Sequence, residues 1–299
     1  MTKILLDTDI GTDVDDAVCL AYLLAHPDCE LLGITTVTGE AEKRAALASV
    51  LCRAAGKEIP IYPGASHPMQ GEQRQPIAQQ ASVLPRWAHQ TDFPLNQAVD
   101  FLAETIRSQP GDVILLTVGP LTNAGMLFSN YPDAARLLRG LVIMGGNFDE
   151  GGPEGNRIEW NVAGDPLASA ITYKTPVRLH RSLGLNVTQR VMMDAAAVRE
   201  KFSAPLLRPV LEMAEVWFEG FYPSITFHDP LAAATVFDES LCTYEQGTVR
   251  LDQGDQPGKT LWQPGGTDAP HQVAMTVDVD RYFAHFFGTV DSLRGNHHE

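Results

Sequence analysis

Short apolar runs alternate with helical segments through the first two thirds of the chain, and this alternation constrains the fold more than any other feature. The runs Ile4–Leu6, Leu31–Val37 and Val113–Val118 have the length and apolar composition of buried strands. Helical patterns follow the first two runs, at Asp15–Leu24 and Ala41–Ala55. Because strands that alternate with helices pair in parallel, the sequence predicts an α/β fold with a doubly wound, mainly parallel, Rossmann-like sheet.

The last third of the chain departs from this alternation. Beyond Asp194 helical patterns dominate, so we expect extra C-terminal helices. Short antiparallel strands are predicted near residues 248–251, 260–262 and 272–277. Residues 63–93 are rich in Pro and Gln without a clear period, which indicates a long loop near the functional site. No repeat, linker or break in composition divides the 299 residues, so we expect a single domain over 1–299 that ends in a polar tail.

The overall charge and the cysteine pattern argue against several classes of function. A formal net charge of −15 argues against a nucleic-acid partner, because phosphate backbones are bound through clustered Lys and Arg. No apolar run reaches the length of a transmembrane helix, and the N-terminus lacks a signal-peptide pattern, so no membrane partner is expected. The four cysteines lack CxxC spacing, which is typical of buried reduced thiols, and the expected location is the cytoplasm.

The segment Asp7–Asp16 holds five carboxylates directly after the first predicted strand. Asp7 and Asp9 share one face of an extended chain, while Asp15 and Asp16 open the next helix, whose dipole favours negative charge. Like charges packed this closely repel unless a cation lies among them, and an all-oxygen ligand set favours a hard divalent ion such as Ca²⁺ or Mg²⁺. Open α/β sheets bind ligands beyond the carboxyl ends of their strands, so the segment predicts a metal at a catalytic cleft.

Two other kinds of site begin with a similar acidic segment. An EF-hand loop counted from Asp7 needs Gly at its sixth position and Glu at its twelfth, but the chain has Thr12 and Val18 there. A haloacid-dehalogenase-like phosphatase begins with Asp-x-Asp-x-Thr/Val, but the fifth position here is Gly11, and no convincing Lys followed by an acidic pair lies downstream. The EF-hand reading fails, and a metal-dependent phosphohydrolase stays an alternative.

Four further segments carry residues that suit a ligand site. Val118–Asn123 forms a Gly-Pro turn after a strand, although such turns are common at strand–helix junctions. The Gly-rich stretch 155–161 offers Asn and Glu side chains, which suit sugar hydroxyls, and a solvated loop is its alternative. In Phe227–Leu231 a His precedes an acid, which suits either proton transfer or a helix cap. Aromatic residues between Trp217 and Tyr222 suit either core packing or a planar ligand ring.

Taken together and in this order, the motifs DTDIGTDVDDA, GPLTNA, MGG, EWN…DP and HDPLA resemble the inosine–uridine nucleoside hydrolase family. The resemblance covers nearly the whole chain, and its opening motif and HDPLA are the specific parts. It implies an α/β hydrolase with tightly bound Ca²⁺ that cleaves the N-glycosidic bond of ribonucleosides to free base and ribose. It also implies that the partner is a small-molecule ribonucleoside and that the protein forms a homodimer or homotetramer.

Carried over residue by residue, the resemblance implies a metal site and a catalytic base. Asp9 would be both a metal ligand and the general base on water, and Asp16 would bind the metal through both oxygens. Asp229 and the backbone carbonyl of Thr122 would complete the ligand set. His228 matches the position that some family members use to protonate the leaving base.

The same resemblance implies the contacts to the sugar. Asp15 would bind a ribose hydroxyl, and Glu159 and Asn161 match the family's ribose-binding Glu-Phe-Asn, here with Trp in place of Phe. Asn156 would contact the 5′-hydroxyl, and His89 resembles part of a family His-Gly segment. The residues expected beside the base are Trp217 and Tyr222.

Several positions depart from the family's pattern. Two additional residues precede the final Asp pair, which adds Asp13 as a candidate participant. Glu40 stands where many members carry a sugar-contacting Asn, and Asn186 replaces a common Asp. These departures keep a non-catalytic, Ca²⁺-dependent ribose- or nucleoside-binding protein as a second alternative. The choice between purine and pyrimidine rests on residues 63–93 and 206–223, which the motifs do not constrain.

Overall fold

The computed structural model describes residues 1–149, 157–220, 222–252 and 254–291. The strands in these ranges are β1 Thr2–Thr8, β2 Cys29–Thr36, β3 Ile61–Pro63, β4 Val113–Thr117, β5 Gly140–Met144, β6 His180–Leu183, β7 Met192–Asp194, β8 Ser224–Thr226, β9 Cys242–Leu251, β10 Thr260–Pro264 and β11 His271–Val277. The α-helices there are α1 Asp15–Ala25, α2 Ala41–Ala54, α3 Ala98–Ser108, α4 Thr122–Asn130, α5 Pro132–Leu137, α6 Trp160–Gly164, α7 Pro166–Lys174, α8 Leu185–Thr188, α9 Ala195–Lys201, α10 Leu207–Glu219, α11 His228–Phe237 and α12 Val279–Asp291.

Nine of the described strands form one sheet, in the order β10-β9-β11-β6-β5-β4-β1-β2-β3. Neighbours from β11 to β3 pair in parallel, whereas β9 pairs antiparallel with both β10 and β11. The predicted α/β fold with a doubly wound, mainly parallel sheet is therefore confirmed, together with the antiparallel strands near the C-terminus.

Helices cover both faces of the sheet, so its central strands are apolar on both sides. In β1, Ile4 and Leu6 belong to the core cluster that also contains residues of α1, α2, α10, α11 and α12. Leu5, between them, belongs to the cluster that contains residues of α3, α4 and α5. The alternation follows from the period of two in a strand, and all three side chains are fully buried.

The order of the strands reverses between β1 and β4. From β1 the chain continues to β2 and β3 on one side, and later returns to the other side with β4, β5 and β6. Ligands bind in open α/β sheets at the crevice that such a reversal creates beyond the carboxyl ends of the strands. The acidic segment follows β1, and Val118 follows β4, so both lie at this crevice.

Several smaller elements lie in the segments between the predicted ones. Residues 63–93, expected as a long loop, contain a 3₁₀ helix at Gln79–Arg86. The strands β7 and β8 pair antiparallel and form a separate two-stranded sheet just before α11. None of the helices within the described ranges has the length and apolar character needed to cross a membrane.

Candidate active site

A cavity of about 430 Å³ lies at the carboxyl edge of the sheet, and we call it the acidic cavity. Most of the residues singled out from the sequence line it: Asp9, Asp13, Asp15, Asp16, Glu159, Asn161, Trp217, Tyr222, His228 and Asp229. The fold thus brings four stretches that are distant in the sequence to one place. Further lining residues to which the sequence analysis gave no individual role include Gln75, Val118, Arg157 and Trp160.

Three buried carboxylates of the acidic cavity lie close together. Oxygen atoms of Asp15, Asp16 and Asp229 all lie within 4.8 Å of one another, and each residue is buried. Asp15 and Asp16 begin α1, and Asp229 lies in the first turn of α11, so two helix N-termini face the cluster. The Asp229 backbone N–H donates to Asp15 Oδ2 at 3.1 Å. A buried, all-oxygen set of this kind fits a hard divalent cation.

Asp9 lies beside this cluster, in the turn that follows β1. The hydroxyl of Thr8 and the backbone N–H of Asp9 both donate to Asp16 Oδ1, the second over 3.1 Å. A Cβ atom on Gly119 would lie 2.7 Å from Asp9 Oδ1, so the Asp9 carboxylate packs directly against the backbone that follows β4. The position requires glycine because any side chain would displace the carboxylate.

Burial and mutual repulsion raise the pKa values of the clustered carboxyl groups. Burial foremost, and then neighbouring carboxylates, raise the pKa values of Asp15, Asp16 and Asp229 well above their usual range. Burial likewise raises the pKa of Asp13 to about 7. A cation among these groups would favour their charged forms, so the electrostatics agree with the metal site predicted from the sequence.

A buried arginine supports the turn behind Asp9. Arg44 is fully buried, and its guanidinium donates to the backbone carbonyls of Asp9 and Ile10 and to Thr12 Oγ1, the last two at 3.2 Å and 3.1 Å. Burial raises the pKa of Asp9, while the charge of Arg44 and a hydrogen bond from Gln75 act in the opposite direction. Arg44 and Gln75 were not predicted from the sequence.

The predicted ribose-binding residues lie at the start of α6. Glu159 caps this helix, accepting the backbone N–H of Asn161 at 2.7 Å and that of Val162 at 2.9 Å. Burial raises the pKa of Glu159 to about 7. Asn161 Nδ2 donates to the carbonyl oxygens of Val118 at 2.8 Å and Met144 at 3.2 Å, at the carboxyl ends of β4 and β5. These bonds hold the segment against the sheet edge, with both side chains on the cavity lining.

Aromatic side chains lie at the mouth of the acidic cavity. Trp217 and Tyr222 stack with ring centroids 3.9 Å apart and an interplanar angle of 10°. Tyr222 is 50% exposed and Trp160 is 45% exposed, whereas the clustered carboxylates are each only 3% exposed. A ligand with a polar end and a planar end would therefore place the polar end inward and the planar end against the aromatic rings.

His228 also lines the acidic cavity. Its Nδ1 lies 2.7 Å from Thr188 Oγ1, whose hydroxyl donates to the Gly184 carbonyl at 3.2 Å. The Thr188 oxygen therefore accepts from Nδ1–H, which leaves Nε2 of a neutral ring as an acceptor. Burial foremost, then the charge of Arg157, lowers the pKa of His228 to about 4. Its predicted role as an acid toward the leaving base stays a prediction.

The structure does not bring Thr122 to the acidic cavity. Thr122 is the first residue of α4, and its hydroxyl donates to Asp165 Oδ2 at 2.9 Å. Its carbonyl lies in the first turn of a helix, where carbonyls accept bonds from the helix itself. Val118, four residues earlier, lies on the cavity lining. The prediction for Thr122 is therefore corrected, because the strand ends before the Gly-Pro turn and the helix begins after it.

Other residues named in the sequence analysis also lie away from the acidic cavity. His89 is absent from the described lining, and its Nδ1 lies 2.8 Å from the Trp87 carbonyl oxygen. Glu40 accepts hydrogen bonds from Lys43 and from the Ala78 backbone N–H, so it holds the loop 63–93. Asn186 Nδ2 donates to the Ala274 carbonyl at 2.8 Å. The predicted contact through Asn156 falls outside the described residues.

Residues 4–284 match the model of the inosine-uridine preferring nucleoside hydrolase family. The chain belongs to this family. Uridine nucleosidase 1 of Arabidopsis thaliana is 29% identical, with 93% of this chain and 90% of the relative covered. The non-specific ribonucleoside hydrolase RihC of Salmonella typhi is 28% identical, with 93% and 94% covered.

Solved structures of nucleoside hydrolases share the fold. The plant nucleoside hydrolase PpNRh1 superimposes with a TM-score of 0.80 at 25% identity, covering 97% of this chain and 98% of that one. The purine-preferring ribonucleoside hydrolase from Gardnerella vaginalis gives a TM-score of 0.84 at 23% identity, with 98% and 99% covered. The resemblance inferred from the motifs is confirmed, and the protein is an enzyme of the nucleoside hydrolase type.

Proposed function

We propose that this nucleoside hydrolase cleaves the N-glycosidic bond of ribonucleosides and uses a bound Ca²⁺ ion in the acidic cavity. One observation carries the proposal: buried carboxylates from the end of β1 and the starts of α1 and α11 converge beneath exposed aromatic rings. A ribose hydroxyl pair suits the carboxylates and their cation, and a nucleobase suits the rings.

The donor set fits the ion in number and in kind. Asp16 and Asp229 would hold the cation, with Asp9 beside them and the Val118 carbonyl in place of that of Thr122. Asp15 adjoins the same cluster and would accept a hydrogen bond from a ribose hydroxyl. Several carboxylates suit the six to eight oxygen ligands typical of Ca²⁺ better than Mg²⁺, which keeps several waters. When bound, the cation supplies positive charge that holds the sugar hydroxyls and eases the deprotonation of water.

The residues of the chain account for the remaining chemistry. Cleavage of an N-glycosidic bond passes through an oxocarbenium-like state, which buried carboxylates near the sugar stabilise. Asp9 would take the proton of the attacking water, and general-base help of this kind contributes about 10²–10⁴-fold. Glu159 and Asn161 would hold the sugar, while Trp217, Tyr222 and His228 would contact the leaving base.

A substrate panel tests the proposal directly. Inosine, adenosine, uridine and cytidine are incubated with the enzyme, and released ribose is measured by its reducing end, with and without a chelator. We expect turnover of at least one nucleoside that is lost with the chelator and restored by Ca²⁺. Nucleoside binding without turnover would favour the binding-protein alternative, and phosphate release from nucleotides without free base would favour the phosphohydrolase.

Two variants assign the roles within the site. Asp9→Ala should lower kcat by at least about 10²-fold, because one group is lost as base and as ligand. The exposed Asp28→Ala is its matched control and should keep wild-type kcat. His228→Ala should lose activity selectively on nucleosides with poor leaving bases, and an equal loss on a nitrophenyl riboside would argue against an acid role.

A further inference from the structure

Gln75 connects the loop 63–93 to the proposed catalytic base. Its Nε2 donates to Asp9 Oδ2 at 2.9 Å, and its Oε1 accepts from Trp160 Nε1 at 2.6 Å. Gln75 is only 8% exposed, so little water competes for either bond. Both ends of one buried amide are thus engaged, one by the carboxylate and one by an indole.

The chemistry of the two partners fixes the orientation of this amide. An indole N–H can only donate and an ionised carboxylate can only accept, so the amide oxygen must face Trp160 and the NH₂ group must face Asp9. A flipped amide would set donor against donor and acceptor against acceptor. Trp160 therefore selects the orientation in which Gln75 donates to Asp9.

Neighbouring contacts hold both Trp160 and Gln75 in place. The guanidinium of Arg74 lies 4.8 Å from the centroid of the Trp160 ring, and its Nη1 donates to the Ala163 carbonyl at 3.1 Å. The backbone N–H of Gln75 donates to Gln73 Oε1 at 2.8 Å. Because Trp160 lies between Glu159 and Asn161, Gln75 also joins the proposed base to the proposed sugar-binding segment.

We propose that Gln75 is a positioning residue for Asp9, and that Trp160 acts through it by setting the orientation of its amide. The bond to Oδ2 holds the plane of the Asp9 carboxylate, while Oδ1 packs against Gly119. The carboxylate is thereby aimed both at the attacking water and at the cation. This inference rests on the proposed function, and its test separates the two.

The first test replaces the amide by a thioether of similar length. Gln75→Met should lower kcat by about 10–100-fold, the usual effect of losing an outer partner of a metal-site ligand. KM should stay within about threefold, because sugar and base contacts are retained, whereas a displaced loop would raise KM. Calcium affinity, titrated calorimetrically on metal-stripped protein, should fall by about tenfold or more. Unchanged kcat or unchanged calcium affinity would overturn the proposal.

A double-mutant cycle tests the role of Trp160. Trp160→Phe keeps an aromatic ring at the cavity mouth but removes the indole donor, so it should lower kcat by less than Gln75→Met does. Because Trp160 acts through Gln75, the double variant should lose no more than Gln75→Met alone. Losses that add independently would overturn the coupling.

Gln80 provides a matched control from the same loop. It is fully buried, and its Nε2 donates to the Thr12 carbonyl at 3.2 Å rather than to Asp9. Gln80→Met should therefore keep kcat within about threefold of wild type, and a fall equal to that of Gln75→Met would overturn the proposal. If the wild-type enzyme releases no ribose from any nucleoside, the proposed function fails, and the calcium titration still decides the role of Gln75.

Discussion

Replacement of Arg44 by Met tests how much the buried guanidinium supports the site. In the folded protein Arg44 donates to the carbonyl oxygens of Gly39 at 2.7 Å, Ile10 at 3.2 Å and Ile77 at 3.3 Å, and also to that of Asp9. Met has a similar length but no N–H group to donate, so these carbonyls lose that donor. Arg44 lies within α2, where Met is also a good helix former, so we expect the substitution to leave the backbone in place.

The expected loss follows from three of these acceptors, because the carbonyl of the exposed Ile77 also accepts from the Thr12 hydroxyl at 3.3 Å. A buried polar group left unpaired costs about 1–3 kcal/mol, so three at the lower end cost about 3 kcal/mol. Burial of the Met side chain returns about 1.5 kcal/mol. The free energy of unfolding should therefore fall by about 1.5 kcal/mol when calcium is bound. Without calcium the fall should be larger, because Arg44 is then the cation that offsets the charges of Asp9 and Asp16.

Urea unfolding of wild type and Arg44→Met, each with excess Ca²⁺ and with a chelator, measures both quantities. The midpoint should shift while the m-value stays constant, since the surface exposed on unfolding hardly changes. Arg53→Met is the control, because Arg53 is an exposed residue of the same helix, and its effect should stay within about 0.5 kcal/mol. A loss below about 1 kcal/mol, or the same loss with and without calcium, would refute the reasoning.

Three further predictions concern the cavity. Gly119→Ala should lower kcat by about tenfold or more, because its Cβ would lie 2.7 Å from Asp9 Oδ1 and displace this carboxylate, the proposed base; steady-state kinetics that match wild type would contradict this. Burial raises the pKa of Glu159 from 4.5 to about 7, so the metal-free folded state binds more protons than the unfolded chain between these values. The free energy of unfolding of wild type relative to Glu159→Gln, which mimics the protonated group, should therefore fall as pH rises from about 4.5 to about 7; urea titrations of both proteins at fixed pH would reveal this, and a flat or rising difference would exclude it. Trp217→Ala should raise KM for nucleosides by up to about tenfold while changing kcat less than Asp9→Ala, since a stacked aromatic pair contributes about 0.5–1.5 kcal/mol; an unchanged KM would remove Trp217 from base binding.

The sequence predicts the sheet, and most of the carboxylates that it singles out line one cavity, because both depend on short-range patterns. An apolar run such as Ile4–Leu6 predicts a buried strand. Acidic residues that directly follow such a strand lie at the carboxyl edge of the sheet. The sequence also predicts the Gly-Pro turn after β4. The residue that lines the cavity, however, is Val118 before the turn and not Thr122 after it. A motif therefore locates a turn, while the exact end of the strand decides which residue lines the cavity.

The sequence analysis missed Arg44 and Gln75 for different reasons. Arg44 shares a helix face with Leu47 and Leu51, which are fully buried, so a charged residue on an apolar stripe was a signal available in the sequence. Gln75 lies in a stretch without any period, and its partners are 66 and 85 positions away along the chain. Only the tertiary fold decides where such a loop residue lies, and the same holds for Glu40, whose carboxylate accepts a hydrogen bond from this loop.

The hydrogen bond between the Asp229 amide and Asp15 joins positions 214 residues apart. No short stretch of the chain can assemble this cluster, because one half arises near the N-terminus and the other only after α11 has docked on α1. An ion bound there would therefore be held by residues that only the folded chain brings together, and by mass action each increase in free ion would oppose the separation of α11 from α1. Binding at this cluster would make the stability of the packing between these two helices depend on the ion concentration.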